Sequence, residues 1–533
     1  MEDELIINEE LPEEEGVDHE DIVLTEDETP HSPAEIQPKR YTVSECIELI
    51  GYGRYHWKVV ATMGMMSAAD SAEIWIIGLI SLNLKCEWDI SPAQKAAVPG
   101  LVFLCMSIGS WLSGVLADIY GRRKIMLIVY YMFTLAATAS AFAWSYPVFL
   151  ILRGVAGFCI GANYGVSICY SAEMVPITKR AFNLLMLDLL WCAGGVYICF
   201  CAIFVMPYQW GWRYLILLAA LPCLVTIPLL HICDESVRFL AVRGRLGEAK
   251  EICDKIAAQN STDKVAGEIF CSTAKNSSKP FNADMFKQPF LRRTLLLMVC
   301  FSASVWVFYA FMYLLPDMMA DGYCHLSEWF QVTHRNSEGC LIYTTTEYIF
   351  LIVVNLLYLP GYVISPITAE YWGRRPTLWY SFWGGLATSI MLLICIHPVV
   401  IYINLFLVIN FYGISVATLW LYVPENYPTY LRSSATGAHN GFSKVGAAFG
   451  TFLTEYLDSV KISHSITVLV VVLIISSVAT IFLQIETKGK SLIDGKDSPS
   501  VPPNSNDIPL SEYEPKTENQ VNSIDVNQTA HHI

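Results

Sequence analysis

Two stretches repeat at a fixed spacing: Gly114-Val-Leu-Ala-Asp118-Ile-Tyr-Gly121-Arg122-Arg123 and Ala369-Glu370-Tyr-Trp-Gly373-Arg374-Arg375. A second pair of motifs, Glu173-Met-Val-Pro-Ile-Thr-Lys-Arg180 and Glu425-Asn-Tyr-Pro-Thr-Tyr-Leu-Arg432, recurs at the same distance. Gly121 and Gly373 are 252 residues apart, and so are Glu173 and Glu425. Two matches at one offset indicate that the chain consists of two duplicated halves.

The repeats lie in a chain that is 54% hydrophobic and 16% charged, a composition more apolar than that of soluble proteins. A bilayer core requires about 20 mostly apolar residues per helix. Twelve such runs, six in each half, predict an all-α membrane protein with two pseudo-symmetric six-helix bundles. The runs are 59–82, 96–117, 125–143, 147–168, 183–206, 213–232, 294–316, 346–368, 377–396, 399–421, 435–457 and 464–484.

The positions of Lys and Arg predict the orientation, because these residues are enriched in cytoplasmic connections. With both termini inside, the short inner connections carry Arg122, Arg123, Lys124, Lys179, Arg180, Arg374, Arg375 and Arg432. The outer connections carry fewer: Lys85, Lys95, Arg213, Arg335 and Lys461. We therefore expect both termini to be cytoplasmic.

The spans divide the chain into an N-terminal half at 41–233, a cytoplasmic central loop at 234–293 and a C-terminal half at 294–485. Within the loop, apolar spacing predicts a helix from Gly244 to Ala258. Residues 1–40 and 486–533 are predicted to be disordered tails. The first 30 residues hold fourteen Asp and Glu and no Lys or Arg, so almost all of the net charge of −15 belongs to this acidic tail.

The duplicated motifs resemble those of the major facilitator superfamily. The Glu-x-x-Pro-x-x-x-Arg elements and Asp234-Glu-Ser-Val-Arg238 look like the sugar and organic-ion branch of that superfamily. The stretch 50–58, with Asp70, Glu73 and Cys86-Glu-Trp88, resembles its synaptic vesicle 2-related members, neighbours of the organic cation and anion transporters. The resemblance implies the major facilitator fold and transport of a small solute by alternating access.

The motif charges have two interpretations. They are topology-setting charges at helix ends, or they form a gate. The resemblance implies that such clusters hold the cytoplasmic side shut, and their duplication favours this gate. Asp118 is expected to accept backbone donors at a helix N-terminus and to pair with Arg122 or Arg123, and the expected gate pairs are Glu173 with Arg180 and Glu425 with Arg432. The predicted gate residues are Asp118, Arg122, Arg123, Glu173, Arg180, Glu370, Arg374, Glu425 and Arg432.

Charges inside the spans are functional candidates, because each costs about 3 kcal/mol on insertion scales. The candidates for substrate or coupling contacts are Asp70, Glu73, Arg153, Asp188 and Lys444, with Trp306 among the aromatic residues that line a cavity or face lipid. Asp70 and Lys444 are the first choice. The alternative for Arg153 is a structural pair with Asp70 or Glu73. Lys444, in Gly441-Phe-Ser-Lys444-Val-Gly446, looks like the position where organic anion transporters carry a cation, so the resemblance implies an anionic or zwitterionic solute. The three carboxylates instead favour a cation or proton coupling.

Two further patterns concern packing. Gly157, Gly161 and Gly165 form a stripe of small residues that is typical of helix–helix contacts. Cys324 and Cys340 lie in an outer connection, where oxidising conditions favour a disulfide between them. No Cys pair has zinc-site spacing.

The leading hypothesis is therefore a secondary-active or facilitative transporter of a small organic ion, with or without proton coupling. The alternative is a non-transporting vesicle protein of transporter fold that acts as a regulator, receptor or trafficking factor. We predict no enzymatic activity, cofactor, metal or nucleic-acid partner. Membrane lipid surrounds the chain in a vesicle or plasma membrane, and cytoplasmic sorting or trafficking proteins are candidate partners of the tails.

Overall fold

The computed structural model describes residues 40–208, 210–270, 283–320, 323, 334–335, 341–394, 397–427 and 429–488. The helices within these residues are α1 (Val43–Ile50), α2 (Arg54–Trp88), α3 (Pro92–Tyr120), α4 (Arg122–Ser140), α5 (Tyr146–Met174), α6 (Arg180–Val205), α7 (Gly211–Ile232), α8 (Val237–Val242), α9 (Leu246–Asn260), α10 (Leu291–Ala320), α11 (Thr345–Leu357), α12 (Leu359–Tyr371), α13 (Arg374–Ile394), α14 (Pro398–Glu425), α15 (Thr429–Asp458) and α16 (Ile462–Ile481). The strands are β1 (Arg40–Thr42), β2 (Glu268–Phe270), β3 (His334–Arg335) and β4 (Leu341–Ile342).

The helices form twelve spans in two bundles, which confirms the predicted fold class. Helices α2–α7 form the N-terminal half. Helix α10, the consecutive pair α11–α12 and helices α13–α16 form the C-terminal half. Several helices extend beyond the apolar runs, since a helix continues into the polar interface after its apolar core ends.

Ten helical segments among the described residues are long and apolar enough to cross a membrane by themselves. The other two spans are α4 and α15. Helix α4 begins with Arg122-Arg123-Lys124, and α15 carries His439, Asn440 and Lys444 on buried positions. These polar residues lower the mean hydropathy of α15. A membrane-spanning helix tolerates them here because this part of its surface faces the protein interior and not lipid.

Glycine shapes the turn in both repeated motifs. Gly121 ends α3 and precedes α4 at φ +101°, and Gly373 precedes α13 with the same φ. L-residues rarely adopt this conformation, whereas glycine adopts it without a Cβ clash. The Gly-Arg-Arg sequence therefore reverses the chain in a single residue and starts the next helix with two arginines. We call the end of the bundles that carries these turns the Gly-Arg-Arg end.

The segment between the halves packs mainly on the N-terminal half at the Gly-Arg-Arg end. The predicted loop helix is α9, at Leu246–Asn260. Asn260 accepts the Tyr55 N–H at 3.0 Å and donates to the Gly51 carbonyl at 3.1 Å. Strand β1 pairs in parallel with β2, with Arg40 opposite Glu268. The segment before α2 is thereby attached to the loop.

The predicted tails require one correction at each inner edge. Arg40 belongs to β1, and Glu486 and Thr487 make hydrogen bonds within the C-terminal half. The ordered fold therefore extends past the predicted boundary at 485. Residues 1–39 and 489–533 lie outside the described residues.

Candidate functional site

A cavity of about 60 Å³ lies between the two halves. Ionisable side chains reach it from both sides: Asp70 of α2 and Asp188 of α6 from the N-terminal half, and Lys444 of α15 from the C-terminal half. Its aromatic lining comprises Tyr164, Trp191, Phe308, Tyr309, Tyr362 and Trp420. An apolar cleft with a few convergent polar groups is the usual form of a small-molecule site.

Lys444 is buried, with 7% of its surface exposed, and is surrounded by aromatic rings. Its Nζ donates to the Tyr309 hydroxyl at 3.1 Å. The centroids of the Tyr309, Tyr164 and Phe103 rings lie 4.8, 5.9 and 6.0 Å from Nζ. Ring faces attract a cation, but no carboxylate among the described residues lies within ion-pair distance of this ammonium.

The two carboxylates of the cavity have few partners. Asp70 is 2% exposed, and the amide of Asn163 donates to its Oδ2 at a long 3.5 Å. Its Oδ1 has no hydrogen-bond partner among the described residues. Asp188 lines the same cavity, also without a hydrogen bond or ion pair to a described residue. Buried polar groups such as Asp70 Oδ1 are normally satisfied. This oxygen and the half-buried carboxylate of Asp188 are therefore available to a solute.

Glu73 and Arg153 lie behind the cavity wall. Arg153 Nη1 is 2.6 Å from Glu73 Oε2, and the two side chains are 2% and 0% exposed. Arg153 also donates to the Ser140 hydroxyl and to the Ala137 carbonyl. The pair joins α2 to α5 within the N-terminal half. This is the structural alternative for Arg153, and neither residue lines the cavity.

Trp306 does not line the cavity either. Its ring lies 6.1 Å from that of Phe449, edge to face, and contacts α15 over Gly450, where a Cβ would clash with the indole. Of the six predicted substrate or coupling residues, the structure therefore brings three together at the cavity: Asp70, Asp188 and Lys444.

The first Gly-Arg-Arg turn is the centre of a polar cluster in the N-terminal half. Arg122 Nη2 is 2.8 Å from Asp118 and 3.1 Å from Glu173. Glu173 also accepts the Ser236 hydroxyl. The carboxylate that accepts backbone donors is Glu235, which binds the N–H groups of Arg122 and Arg123 at 2.9 and 3.2 Å. The role assigned to Asp118 at a helix N-terminus thus belongs to Glu235.

The second turn has the same arrangement in the C-terminal half. Arg374 contacts Glu425 at 3.1 Å and Glu370 at 3.5 Å. Thr487 donates to Glu425, as Ser236 does to Glu173. Glu486 accepts the N–H groups of Arg374 and Arg375 at 3.0 and 2.9 Å.

The environment of Glu486 affects its ionisation. Burial by itself would raise the pKa of Glu486, but the backbone N–H groups of Lys488, Arg375, Arg374 and Thr487 outweigh it and leave the pKa below its ordinary value. The carboxylate is therefore charged at neutral pH. A charged Glu486 caps the N-terminus of α13, because it accepts the first N–H groups of that helix.

Sequence reasoning missed Glu235 and Glu486, although a signal exists. Glu235-Ser236 and Glu486-Thr487 are 251 residues apart, one short of the motif offset. Each carboxylate–hydroxyl dipeptide follows the last span of its half. A search for any acidic residue at nearly the same offset would have found both.

The remaining predicted residues have varied positions. Arg123 donates to the His231 carbonyl at 2.8 Å. Arg180 begins α6 and is half-buried. The side chain of Arg432 and the whole of Cys324 and Cys340 lie outside the described residues. Cys86, at the end of α2 opposite the Gly-Arg-Arg end, is disulfide-bonded, which the sequence analysis did not anticipate.

The family follows from comparison with known proteins. The family model described as "Sugar (and other) transporter" matches residues 59–496. The chain belongs to this transporter family. It is 30% identical to the synaptic vesicle 2-related proteins of Rattus norvegicus and of Xenopus laevis, over 85% of this chain and 82% of each relative.

Solved structures give the same fold. The proton:xylose symporter XylE bound to 6-bromo-6-deoxy-D-glucose superposes with a TM-score of 0.62 at 17% identity, over 82% of this chain and 98% of that one. An inward open conformation of XylE from E. coli gives a TM-score of 0.60 at 16% identity, with the same coverage. This transporter is thus a multi-pass membrane protein of the major facilitator superfamily.

Proposed function

We propose that this transporter moves a small charged organic solute by alternating access and binds it in the cavity between the halves. The observation that carries the proposal is the placement of Asp70 and Asp188 on one half and of Lys444 on the other. The affinity for a solute that contacts groups on both halves depends on how the halves are positioned relative to each other. Its binding therefore favours the state in which both sets of groups reach it.

The cavity chemistry supports an ionic solute over a neutral sugar. Unpaired charges are costly in a buried site, and a neutral sugar would leave Asp70, Asp188 and Lys444 without a counter-charge at ion-pair distance. The neutral amide and small hydroxyl groups in the lining are Asn440 and Ser443. Transport is secondary-active or facilitative. Proton coupling, the property named for XylE, is a further part of the proposal, because a carboxylate without a cationic partner can carry a proton.

The two Gly-Arg-Arg clusters are proposed to act in gating. Each cluster ties the turn between two spans to a carboxylate from a third and to the segment after the last span of its half. Each half can therefore move as a rigid unit. We place this end and both termini on the cytoplasmic side of a vesicle or plasma membrane, because the connections there carry most of the Arg and Lys.

Uptake by purified protein in liposomes tests the proposal. A panel of organic cations, anions and zwitterions is offered with and without an inward pH gradient. We expect at least one ionic solute to accumulate, and Asp70→Asn and Lys444→Met to reduce both its uptake and its thermal stabilisation of the protein. Lys461→Met, at an exposed lysine, is the matched control and should leave both unchanged. If no solute moves, transport is excluded in favour of a non-transporting vesicle protein.

A further inference from the structure

The polar groups of the cavity lack hydrogen-bond partners of two opposite kinds. On the N-terminal half, Asp70 Oδ1 and the carboxylate of Asp188 have no donor among the described residues. On the C-terminal half, the Lys444 ammonium has three N–H groups, and the hydroxyl of Tyr309 accepts from it. One side of the cavity thus needs hydrogen-bond donors with positive charge, and the other needs an acceptor with negative charge.

We infer that the solute is a small aromatic zwitterion whose ammonium binds Asp70 and Asp188 and whose carboxylate binds Lys444. This inference rests on the proposed function and narrows its substrate class. A zwitterion provides a counter-charge to both sides at once, and charge-assisted hydrogen bonds are about twice as strong as neutral ones.

Solutes with a single charge fit less well. A monocation pairs with the carboxylates but leaves Lys444 without an anion and brings a like charge towards it. A monoanion pairs with Lys444 but faces Asp70 and Asp188. Like charges brought together in an interface cost several kcal/mol. The opposite charges also lie on different halves of the protein, so a zwitterion that bridges them draws the halves together around itself.

The aromatic lining determines the body of the solute. Trp191 and Phe308 come from different halves, and their rings lie 5.7 Å apart. Tyr164 and Trp420 are related in the same way, at 5.6 Å. Rings at such distances pack with offset or edge contacts, each worth about 0.5–1.5 kcal/mol. An aromatic ring that packs against these cavity-lining side chains would contact both halves as well.

Three ligands with the same ring and the same two-carbon arm test the inference: L-phenylalanine, phenethylamine and 3-phenylpropanoate. The first is a zwitterion, the second a cation and the third an anion. Binding is measured as thermal stabilisation of the purified protein in nanodiscs, and transport as uptake into liposomes. We expect L-phenylalanine to bind at least about tenfold more tightly than either analogue, a difference of about 1.4 kcal/mol.

Substitutions on the two sides of the cavity should change the relative affinities for the three ligands in different ways. Lys444→Met should remove the advantage of L-phenylalanine over phenethylamine. Asp188→Asn and Asp70→Asn should remove its advantage over 3-phenylpropanoate. The control Lys461→Met should keep the wild-type order of the three ligands.

The outcomes separate this inference from the proposed function. If phenethylamine or 3-phenylpropanoate binds as tightly as L-phenylalanine to the wild-type protein, the zwitterion assignment is wrong. It is also wrong if none of the three binds while a cation, an anion or a zwitterion without an aromatic ring is transported, in which case the proposed function stands. If no solute is transported at all, both fail.

Discussion

Lys95 Nζ lies 3.3 Å from Glu455 Oε2 and joins the two halves of the transporter by an ion pair. Lys95 is in the first turn of α3 and Glu455 in the last turn of α15, at the end opposite the Gly-Arg-Arg turns. Their side chains are 18% and 8% exposed. Between this pair and the cavity, the Phe103 ring packs on Tyr309 and Tyr313 at 4.4 and 6.3 Å. The described ion pairs of each Gly-Arg-Arg cluster, by contrast, join residues of the same half. The Lys95–Glu455 pair therefore connects the halves at the opposite end.

Breaking this pair should open that end of the cavity. Removal of one partner leaves a buried charge uncompensated, so Lys95→Met and Glu455→Gln should each favour the state that is open at this end. The measurement is the rate at which a membrane-impermeant thiol reagent modifies Ala417→Cys, a cavity position, relative to the same protein with Ala417. We expect modification by reagent added on the side of the Lys95–Glu455 pair to become about tenfold faster, equivalent to ~1.4 kcal/mol.

The charge exchange Lys95→Glu with Glu455→Lys serves as the control. It restores opposite charges at the same place and should return the modification rate towards that of the native pair. Unchanged rates in both single variants would mean that the ion pair does not determine access from this end.

Glu486→Gln should destabilise the C-terminal half in a pH-dependent way. The pKa of Glu486 is lowered in the folded protein, where backbone N–H groups outweigh burial. Stability from a lowered carboxyl pKa is present above the unfolded value, about 4.3, and is lost as pH falls through the folded value. The difference in unfolding temperature between wild type and variant should therefore be constant above about pH 5 and shrink below about pH 4.

The control for this experiment is Glu370→Gln, whose side chain is 70% exposed in its pair with Arg374. Exposed ion pairs contribute about 0–1 kcal/mol, so this variant should unfold close to wild type across the range. An equal loss in the two variants would show that the cap on α13 is not the source of the stability.

The Glu73–Arg153 pair should matter for folding more than for charge recognition. Glu73→Gln or Arg153→Met leaves a buried charge alone and should cost about 3–5 kcal/mol. The double variant removes both charges and should recover much of this loss, as followed by thermal unfolding in detergent. Arg245→Met breaks an exposed pair with Glu248 and should change stability by less than about 1 kcal/mol. If the double variant is as unstable as the single ones, the pair has a role beyond mutual neutralisation.

The sequence predicted the features that depend on local pattern. Apolar runs located the spans, and the repeat offset gave the two halves, since both can be read along the chain. The contact of Asp118 with Arg122 was also predictable, because residues four apart on a helix are neighbours.

Features that depend on which helix faces which were not predictable. Helices that are apolar on every side carry no stripe to indicate a direction, so Trp306 could not be distinguished from the aromatic residues that line the cavity. In the sequence, Lys95 and Glu455 are charges near helix ends, and nothing in the pattern indicates that α3 and α15 lie side by side. For the same reason, the choice of Glu73 or Asp70 as the partner of Arg153 needed the structure.

The glycine stripe of α5 offers a prediction with a built-in control. A Cβ on Gly161 would clash with the Met106 carbonyl of α3, and one on Gly157 would lie 2.6 Å from the Val102 oxygen. At Gly165 nothing lies within 4 Å. Gly161→Ala should therefore push α5 away from α3 and lower stability by about 1–3 kcal/mol. Gly165→Ala should be neutral or stabilising by up to about 1 kcal/mol, because alanine favours the helix more than glycine does.

The two variants differ by one turn of the same helix, and thermal unfolding of both in detergent measures the cost of the α3–α5 contact. Equal unfolding temperatures would mean that this close approach does not stabilise the N-terminal half.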